Sequence, residues 1–379
     1  MMQPQAREGR TRSPSRPPTL MGCSRSSVPT HSPVYAVSGA SVSSRAERSP
    51  GQPATEHDAP GAHSPFSLAI HGGAGALSPS RLNGQLEAAY RAGLAAALTA
   101  GYRLLVGGGS AVDAVTQAVV VLEDNPLFNA GRGAVFTSAG EVQLDAAVMN
   151  GLDRCAGAVA AVVGPRNPVL AARAVLELSD AVLLVGEGAL SFCRAHGIAL
   201  EDPRYFYTEQ RWEALQRELH RRRHGGRDDR DDADRHGTVG AVARDVRGNL
   251  AAATSTGGIT AKAPGRVGDT PVFGAGTWAE NGTCAVSATG TGEVFIRHGA
   301  AHEIAARMRI GGQPLAQAAA DVVAELQAAG GDGGLIAVDA AGAVVMPFNC
   351  QGMYRGQIGA DGVPRAAIYR EQLTVVNGA

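Results

Sequence analysis

At His236-Gly237 the chain passes from a solvated composition to a core composition within one residue. The run before it, RRRHGGRDDRDDADRHG, is charged at most positions and has no apolar period, so it predicts no core face. The run after it, TVGAVARDVRGNLAAATST, predicts two buried strands joined at Arg247-Gly248-Asn249. Strands so poor in bulk can be buried only where neighbouring layers come close. Composition agrees: 50 glycines, 44% apolar residues and 4% aromatics leave Ala, Gly and Val to fill the core. The residue at the seam is a threonine, Thr238, and its position needs a reason.

The rest of the chain predicts strands and helices clustered on both sides of a polar linker, about 203–237. Residues 66–76, FSLAIHGGAGA, read as a strand ending in a glycine turn. Residues 81–106 read as a helix with Leu86, Tyr90, Leu94 and Ala97 on one face. Ser110 caps a second helix that Pro126 closes. A hairpin is expected to turn at Ala139-Gly140, with strands at 155–164 and 181–185 and helices at NPVLAARAVLELS and GALSFCRAHG. Beyond the hairpin at Thr238, CAVSATGTGEVFIRHG continues in strand mode. Helices cover about 300–309 and 313–329, and a last hairpin turns at Ala341-Gly342. This distribution predicts two sheets covered by helices rather than a strictly alternating parallel fold. Residues 1–64 are rich in Ser, Pro and Arg and read as a disordered extension without a secretory apolar region.

Several chemistries are excluded. The net charge of -1 argues against capture of nucleic acid or an anionic membrane. No stretch is apolar enough to span a bilayer. The single lysine, Lys262, follows an alanine, so there is no P-loop. No G-x-S-x-G accompanies HGGAG, which sets aside a lipase-type hydrolase. His302-Glu303 begins like a zinc motif, but Ala306 stands where a second histidine is needed, and no metal-ligating side-chain set appears. The five cysteines are scattered and form no C-x-x-C pair. A cytoplasmic protein is expected.

A threonine hydroxyl attacks a carbonyl well only beside a base. If the chain is cut before Thr238, the new α-amine becomes that base, and its pKa near 7.7–8.0 suits neutral pH. A hydrophilic segment ending in Gly237 gives such a cut room. Nearby, GRVGD sets Arg266 and Asp269 three residues apart. A guanidinium grips a carboxylate and an aspartate takes an ammonium, so this pair matches the head group of an α-amino acid. TGTG, Thr289–Gly292, offers unshielded N–H groups and hydroxyls where an oxyanion develops.

The run HGTVGAVARDVRGNLAAATSTGG, followed by PGRVGDTPVFGAG and SATGTGEVF, resembles the plant-type asparaginase/isoaspartyl peptidase family of N-terminal-nucleophile hydrolases. HGGAGA (71–76), LEDNPLFNAGRGAVF (122–136) and GGDGGLIAVD (330–339) match in the same order, so the likeness covers about 66–370. It implies a four-layer αββα sandwich, α+β, with two mainly antiparallel sheets. It implies self-cleavage between Gly237 and Thr238 into subunits 65–237 and 238–379, paired as an (αβ)2 dimer. Thr238 would be the nucleophile, supported by Thr256. The Thr289 hydroxyl and Gly290 N–H would form the oxyanion hole, with Gly292, Asn129, Arg266 and Asp269 around the substrate. Main-chain carbonyls of Leu122, Glu123, Asn125, Phe128, Ala130 and Arg132 would hold a structural sodium ion, and no cofactor serves the chemistry. The expected substrates are β-aspartyl dipeptides and L-asparagine. The alternatives are a glycosylasparaginase, whose junction usually reads His-Asp-Thr rather than His-Gly-Thr, and an uncleaved binding homologue.

Overall fold

Ser67–Gly75 (β1) is buried along its whole length, which its Gly- and Ala-rich second half permits because other backbone can approach it closely. In the computed structural model the described residues are 66–75, 83–225 and 237–376. The expected N-terminal extension lies outside them.

Asn83 opens α1 (Gly84–Val106) by accepting from the Leu86 N–H, and Ser110 opens α2 (Ala111–Asp124) by accepting from the Asp113 N–H. The two helices cross closely at Gly101, where a Cβ would lie 2.9 Å from the Ala114 carbonyl oxygen. Then come β2 (Leu144–Asn150), β3 (Ala156–Val162), α3 (Pro168–Leu178), β4 (Leu183–Val185), α4 (Gly186–Ala195) and α5 (Glu209–His224). Past the seam follow β5 (Val239–Arg244), β6 (Leu250–Thr256), β7 (Thr277–Ala279), β8 (Cys284–Gly290), α6 (Gly292–His298), α7 (Ala300–Gly311) and α8 (Leu315–Ala328). The chain closes with β9 (Gly333–Asp339), β10 (Val344–Val345), β11 (Gly352–Ile358), β12 (Arg365–Ala367) and β13 (Thr374–Val375).

These strands form two sheets. The larger has nine strands in the order β13-β12-β11-β1-β5-β6-β2-β3-β4, and the smaller has the order β10-β9-β8-β7. Every neighbouring pair is antiparallel except β3 and β4. One apolar cluster joins α1, α2 and α3 to the larger sheet through Leu68, Leu94, Val115, Val119, Leu144 and Val175. A second draws on both sheets through Ala69, Val242, Ala252, Ala285, Ile336 and Val338. A third joins the smaller sheet to α6, α7 and α8 through Val286, Val294, Ile304, Val322 and Leu335. Among the described residues no helix is long and apolar enough to cross a membrane.

Three expectations need correction. The expected linker from 203 begins as structure: a 3-10 turn at Pro203–Phe206 and then α5. Its core face is hidden because two of its buried residues are charged. Arg211 donates to the Gly133 carbonyl at 2.9 Å, and Glu218 pairs with Arg221 and Arg222 on its own helix. Residues 226–236 lie outside the described residues. The turn at Ala139-Gly140 exists, with the Thr137 N–H donating to the Glu141 carbonyl, but its first arm is not a strand and β2 pairs with β6 and β3. The run after β8 does not stay extended: Gly292–His298 is helical and ends at Gly299, which takes φ 55°. Beyond these, β11 pairs with β1 and is followed outward by β12 and β13, which complete that flank of the larger sheet.

Candidate active site

Thr238 sits at the entrance of β5, a strand held in the middle of the larger sheet between β1 and β6. It is almost fully buried. β1 is irregular between His71 and Gly73, and Gly73 takes φ +111°. A Cβ on Gly73 would stand 3.2 Å from Gly237 Cα, so only glycine lets β1 run this close to the seam.

The hydrogen bonds at the seam have one consistent direction. Thr238 Oγ1 donates to Thr256 Oγ1 at 3.2 Å, and Thr256 Oγ1 donates to the Gly237 carbonyl at 2.7 Å. Thr256 also accepts from the Gly258 N–H at 2.9 Å. Asn129 Nδ2 donates to the same Gly237 carbonyl at 2.8 Å and to the Gly258 carbonyl at 2.7 Å. Asn129 itself is oriented by the Val135 N–H, which donates to its Oδ1 at 2.9 Å. The carbonyl that a cut would have to attack is therefore gripped by two donors, one of which is hydrogen-bonded to the candidate nucleophile.

Arg266, Asp269 and Gly292 converge, near enough to Asp145, the β2 residue opposite Thr256, for its charge to act on Asp269. A Cβ on Gly292 would lie 3.0 Å from Asp269 Oδ1 and 3.1 Å from the Arg266 guanidinium, so glycine leaves the space between them open. Asp269 is buried, its Oδ2 has no hydrogen-bond partner, and burial pushes its carboxyl up to about 7. Arg266 does not bond Asp269: its Nε donates to Glu293 Oε1 at 2.9 Å. Thr289 Oγ1 is buried and unpartnered, and Gly290 takes φ +151° where a Cβ would collide with the Asp332 carbonyl. Two groups expected to meet a substrate, Asp269 and Thr289, thus have unused bonding capacity.

The loop after α2 carries Asn129. Gly131, at φ +49°, lies over the Glu123 carbonyl, where a Cβ would stand 2.6 Å from the oxygen. Gly133 lies over the Phe128 and Pro126 carbonyls and a Cβ would collide with both. Main-chain oxygens of Glu123, Pro126 and Phe128 thus crowd this turn. Such a donor set, neutral and all oxygen, fits a hard monovalent cation and not zinc. Among the described residues no group of His, Cys, Asp or Glu could hold a metal ion.

The family profile described as Asparaginase matches residues 64–368. The chain belongs to the asparaginase family. It is 52% identical over 312 residues to the isoaspartyl peptidase of Escherichia coli K12, covering 80% of this chain and 96% of that one. It is 43% identical over 305 residues to the plant-type L-asparaginase of Pyrobaculum calidifontis, 76% of this chain and 96% of that one. It is 45% identical over 233 residues to the human isoaspartyl peptidase/L-asparaginase, 62% of this chain and 73% of that one.

Reading the sequence as an asparaginase-family member missed two buried polar features beside the site. Lys262 is fully buried with Nζ 3.7 Å from Asp145 Oδ2, and Nζ donates to the Gln143 carbonyl at 2.9 Å. Its stem packs under Gly258, so this ion pair braces the loop whose carbonyl holds Asn129. The signal was present: a sole lysine in an otherwise apolar run has no solvated face to occupy. His71, in HGGAGA, is fully buried between the sheets, and its imidazole bonds Ser287.

Proposed function

We propose that this chain matures by cutting itself between Gly237 and Thr238, and that it then hydrolyses β-aspartyl dipeptides and the side-chain amide of L-asparagine, releasing L-aspartate. The observation that carries the reading is the doubly held Gly237 carbonyl beside the Thr238–Thr256 hydroxyl pair. In the precursor, Thr238 Oγ attacks the Gly237 carbonyl carbon. Its proton passes to Thr256, and the Thr256 proton passes to the carbonyl oxygen, which Asn129 also stabilises. The C–N bond then breaks, the nitrogen takes a proton, and Gly237 is left as an ester on Thr238 Oγ. Water hydrolyses that ester and leaves Thr238 with a free α-amine.

In turnover the α-amine takes the proton from Thr238 Oγ as it attacks the substrate side-chain carbonyl. Arg266 receives the substrate α-carboxylate and Asp269 its ammonium, with Gly292 leaving room between them. Thr289 Oγ1 and the Gly290 N–H receive the oxyanion. The amine passes its proton to departing ammonia or the departing amino acid, and water releases aspartate from the β-aspartyl ester. Arg266 must leave Glu293 or share its guanidinium with the incoming carboxylate.

The family and the three apolar clusters support a four-layer αββα sandwich for residues 65–379. The carbonyls of Leu122, Glu123, Asn125, Phe128, Ala130 and Arg132 would hold a sodium ion, whose charge would stiffen the turn that presents Asn129. Two cleaved chains would pair as an (αβ)2 dimer.

Intact mass and N-terminal sequencing test the cut: a fragment beginning Thr-Val-Gly-Ala is expected, followed by aspartate release from β-Asp-Leu and from L-asparagine. A protein that stays full-length yet hydrolyses these substrates would refute the mechanism. A processed protein that releases no aspartate would refute the substrate class.

A further inference from the structure

Four buried polar side chains lie between the sheets and take no part in the reactions above. His71 on β1 has its Nε2 2.9 Å from Ser287 Oγ on β8. Ser287 Oγ is 2.7 Å from Thr254 Oγ1 on β6. Thr277 Oγ1 on β7 donates to Thr254 Oγ1 at 2.7 Å and shares that hydrogen with the Thr270 carbonyl at 3.0 Å. The line is unbroken, and all four side chains are buried.

The ends of the line matter most. At one end His71 pairs with Gly240, two residues from Thr238, and the main chain of Thr238 is the polar group that favours a proton on the imidazole. At the other end Thr270 is the residue after Asp269. The line also dictates a glycine. A Cβ on Gly240 would collide with both Ser287 Oγ and His71 Nε2, so the bridge crosses directly over the β5 backbone.

Proton counting gives the line a direction. Each hydroxyl has one hydrogen to donate. With Thr277 donating to Thr254, Thr254 is free to donate to Ser287, and Ser287 to His71 Nε2. Nε2 is then an acceptor, and the ring hydrogen sits on Nδ1. Burial keeps the ring neutral, its pKa pushed down to about 3, so His71 is a fixed dipole and not a proton-transfer base. Polar groups buried between two sheets cost stability relative to apolar ones unless each is satisfied, and a satisfied network holds its members in one geometry.

We infer that His71, Ser287, Thr254 and Thr277 form a positioning relay that fixes the Thr238 strand relative to the Asp269–Thr270 loop. The relay rests on the reading of Thr238 as nucleophile and Asp269 as the ammonium site. It sets the distance between the attacking oxygen and the anchored head group, and therefore how well the substrate carbonyl is presented. None of its members touches substrate.

The test is a double-variant cycle on the full chain with β-Asp-Leu as substrate. Thr277→Val cuts the loop end and His71→Asn cuts the β1 end; the two residues share no hydrogen bond. Each alone is expected to lower kcat/KM about 10- to 100-fold, the scale for a misplaced reacting group. Together they should cost no more than about 3-fold beyond the worse single variant, because a relay cut once is already lost. Multiplicative losses would overturn the relay, as two separate packing defects would produce them. If a variant accumulates uncut, the same comparison is made on its rate of self-cleavage. Independently of any variant, 15N NMR of the histidine-labelled parent should show His71 neutral with its hydrogen on Nδ1 from pH 5 to 9. A hydrogen on Nε2 would overturn the inference. A parallel Thr238→Ala variant separates the two ideas: if it still turns over substrate, the nucleophile reading fails, while the tautomer still decides the relay.

Discussion

Replacing Thr256 with valine tests the self-cleavage step most directly, because valine keeps the shape and removes the hydroxyl. That hydroxyl donates to the Gly237 carbonyl at 2.7 Å and accepts from Thr238 at 3.2 Å and from the Gly258 N–H at 2.9 Å. Negative charge gathers on the Gly237 oxygen when Thr238 adds to it. In the variant only Asn129 would still hold that oxygen. Losing one preorganised donor at such an oxygen costs about 2.7–4 kcal/mol, or roughly 10²- to 10³-fold in rate. A second, separate effect is the Gly258 N–H left unpaired, worth about 1–3 kcal/mol of stability. Stability changes how much chain is folded, not how fast folded chain cuts itself, so both are measured. Chains made in a cell-free system would be followed on denaturing gels as they split into 1–237 and 238–379, with thermal unfolding of the purified precursor in parallel. Thr256→Ser should restore cleavage to within about 10-fold of the parent, since the donor returns. Parental cleavage rates in Thr256→Val would refute the claim that the Thr256 hydroxyl serves the cut.

Other outcomes follow from the same geometry. Asp269 must be ionised to hold an ammonium, and burial raises its pKa to about 7, so kcat/KM should fall about tenfold per pH unit below that value from this group alone. The Thr238 α-amine steepens the decline, and Asp269→Asn, though weaker overall, should remove one proton from the slope of the pH–rate profile. Lys262→Met leaves Asp145 as a buried unpaired carboxylate and should cost about 3–5 kcal/mol in denaturant unfolding of a Thr238→Ala precursor; the further change Asp145→Leu should recover part of it. Gly133→Ala would drive a Cβ into the Phe128 and Pro126 carbonyls, and should both lower the thermal midpoint and slow self-cleavage through a displaced Asn129. An unchanged midpoint would remove the argument that this turn is glycine-dependent.

The parts of the fold visible in the sequence are those whose period and punctuation agree. The β5–β6 hairpin is one: its turn is closed by Asp245, whose Oδ1 accepts from the N–H groups of Arg247 and Asn249. The α2 cap at Ser110 is another. What was hidden depended on partners and backbone angles that the local pattern does not show. α5 buries Arg211 and Glu218, which read as solvated until Gly133 and the neighbouring arginines are seen to satisfy them. α6 follows a strand without a break in composition, and only the backbone angle at Gly299 marks its end. At the site, Thr238, Thr256 and Asn129 could be named, and hydrogen bonds join them at the Gly237 carbonyl; Arg266 and Asp269 could be named, and they flank Gly292 together. The Arg266–Glu293 pair could not be read, since residues 27 apart carry no local signal. His71 was hidden for the same reason: its partner Ser287 lies 216 residues away.

The order of the nine-stranded sheet bears on what the proposed cut would do. Strands β5 and β6 belong to the downstream piece, yet they sit between β1 and β2 of the upstream piece. A cut at Gly237 would therefore free no edge: the two polypeptides would stay laced through each other's ladders on both flanks of the β5–β6 hairpin. Separating them means unzipping the middle of the molecule, and reassembly from strangers in solution would need an insertion that one continuous chain performed during its own folding. Maturation by such a cut would trade reversibility for permanence. The mature enzyme should survive long exposure to moderate denaturant, but once pulled apart it should not come back.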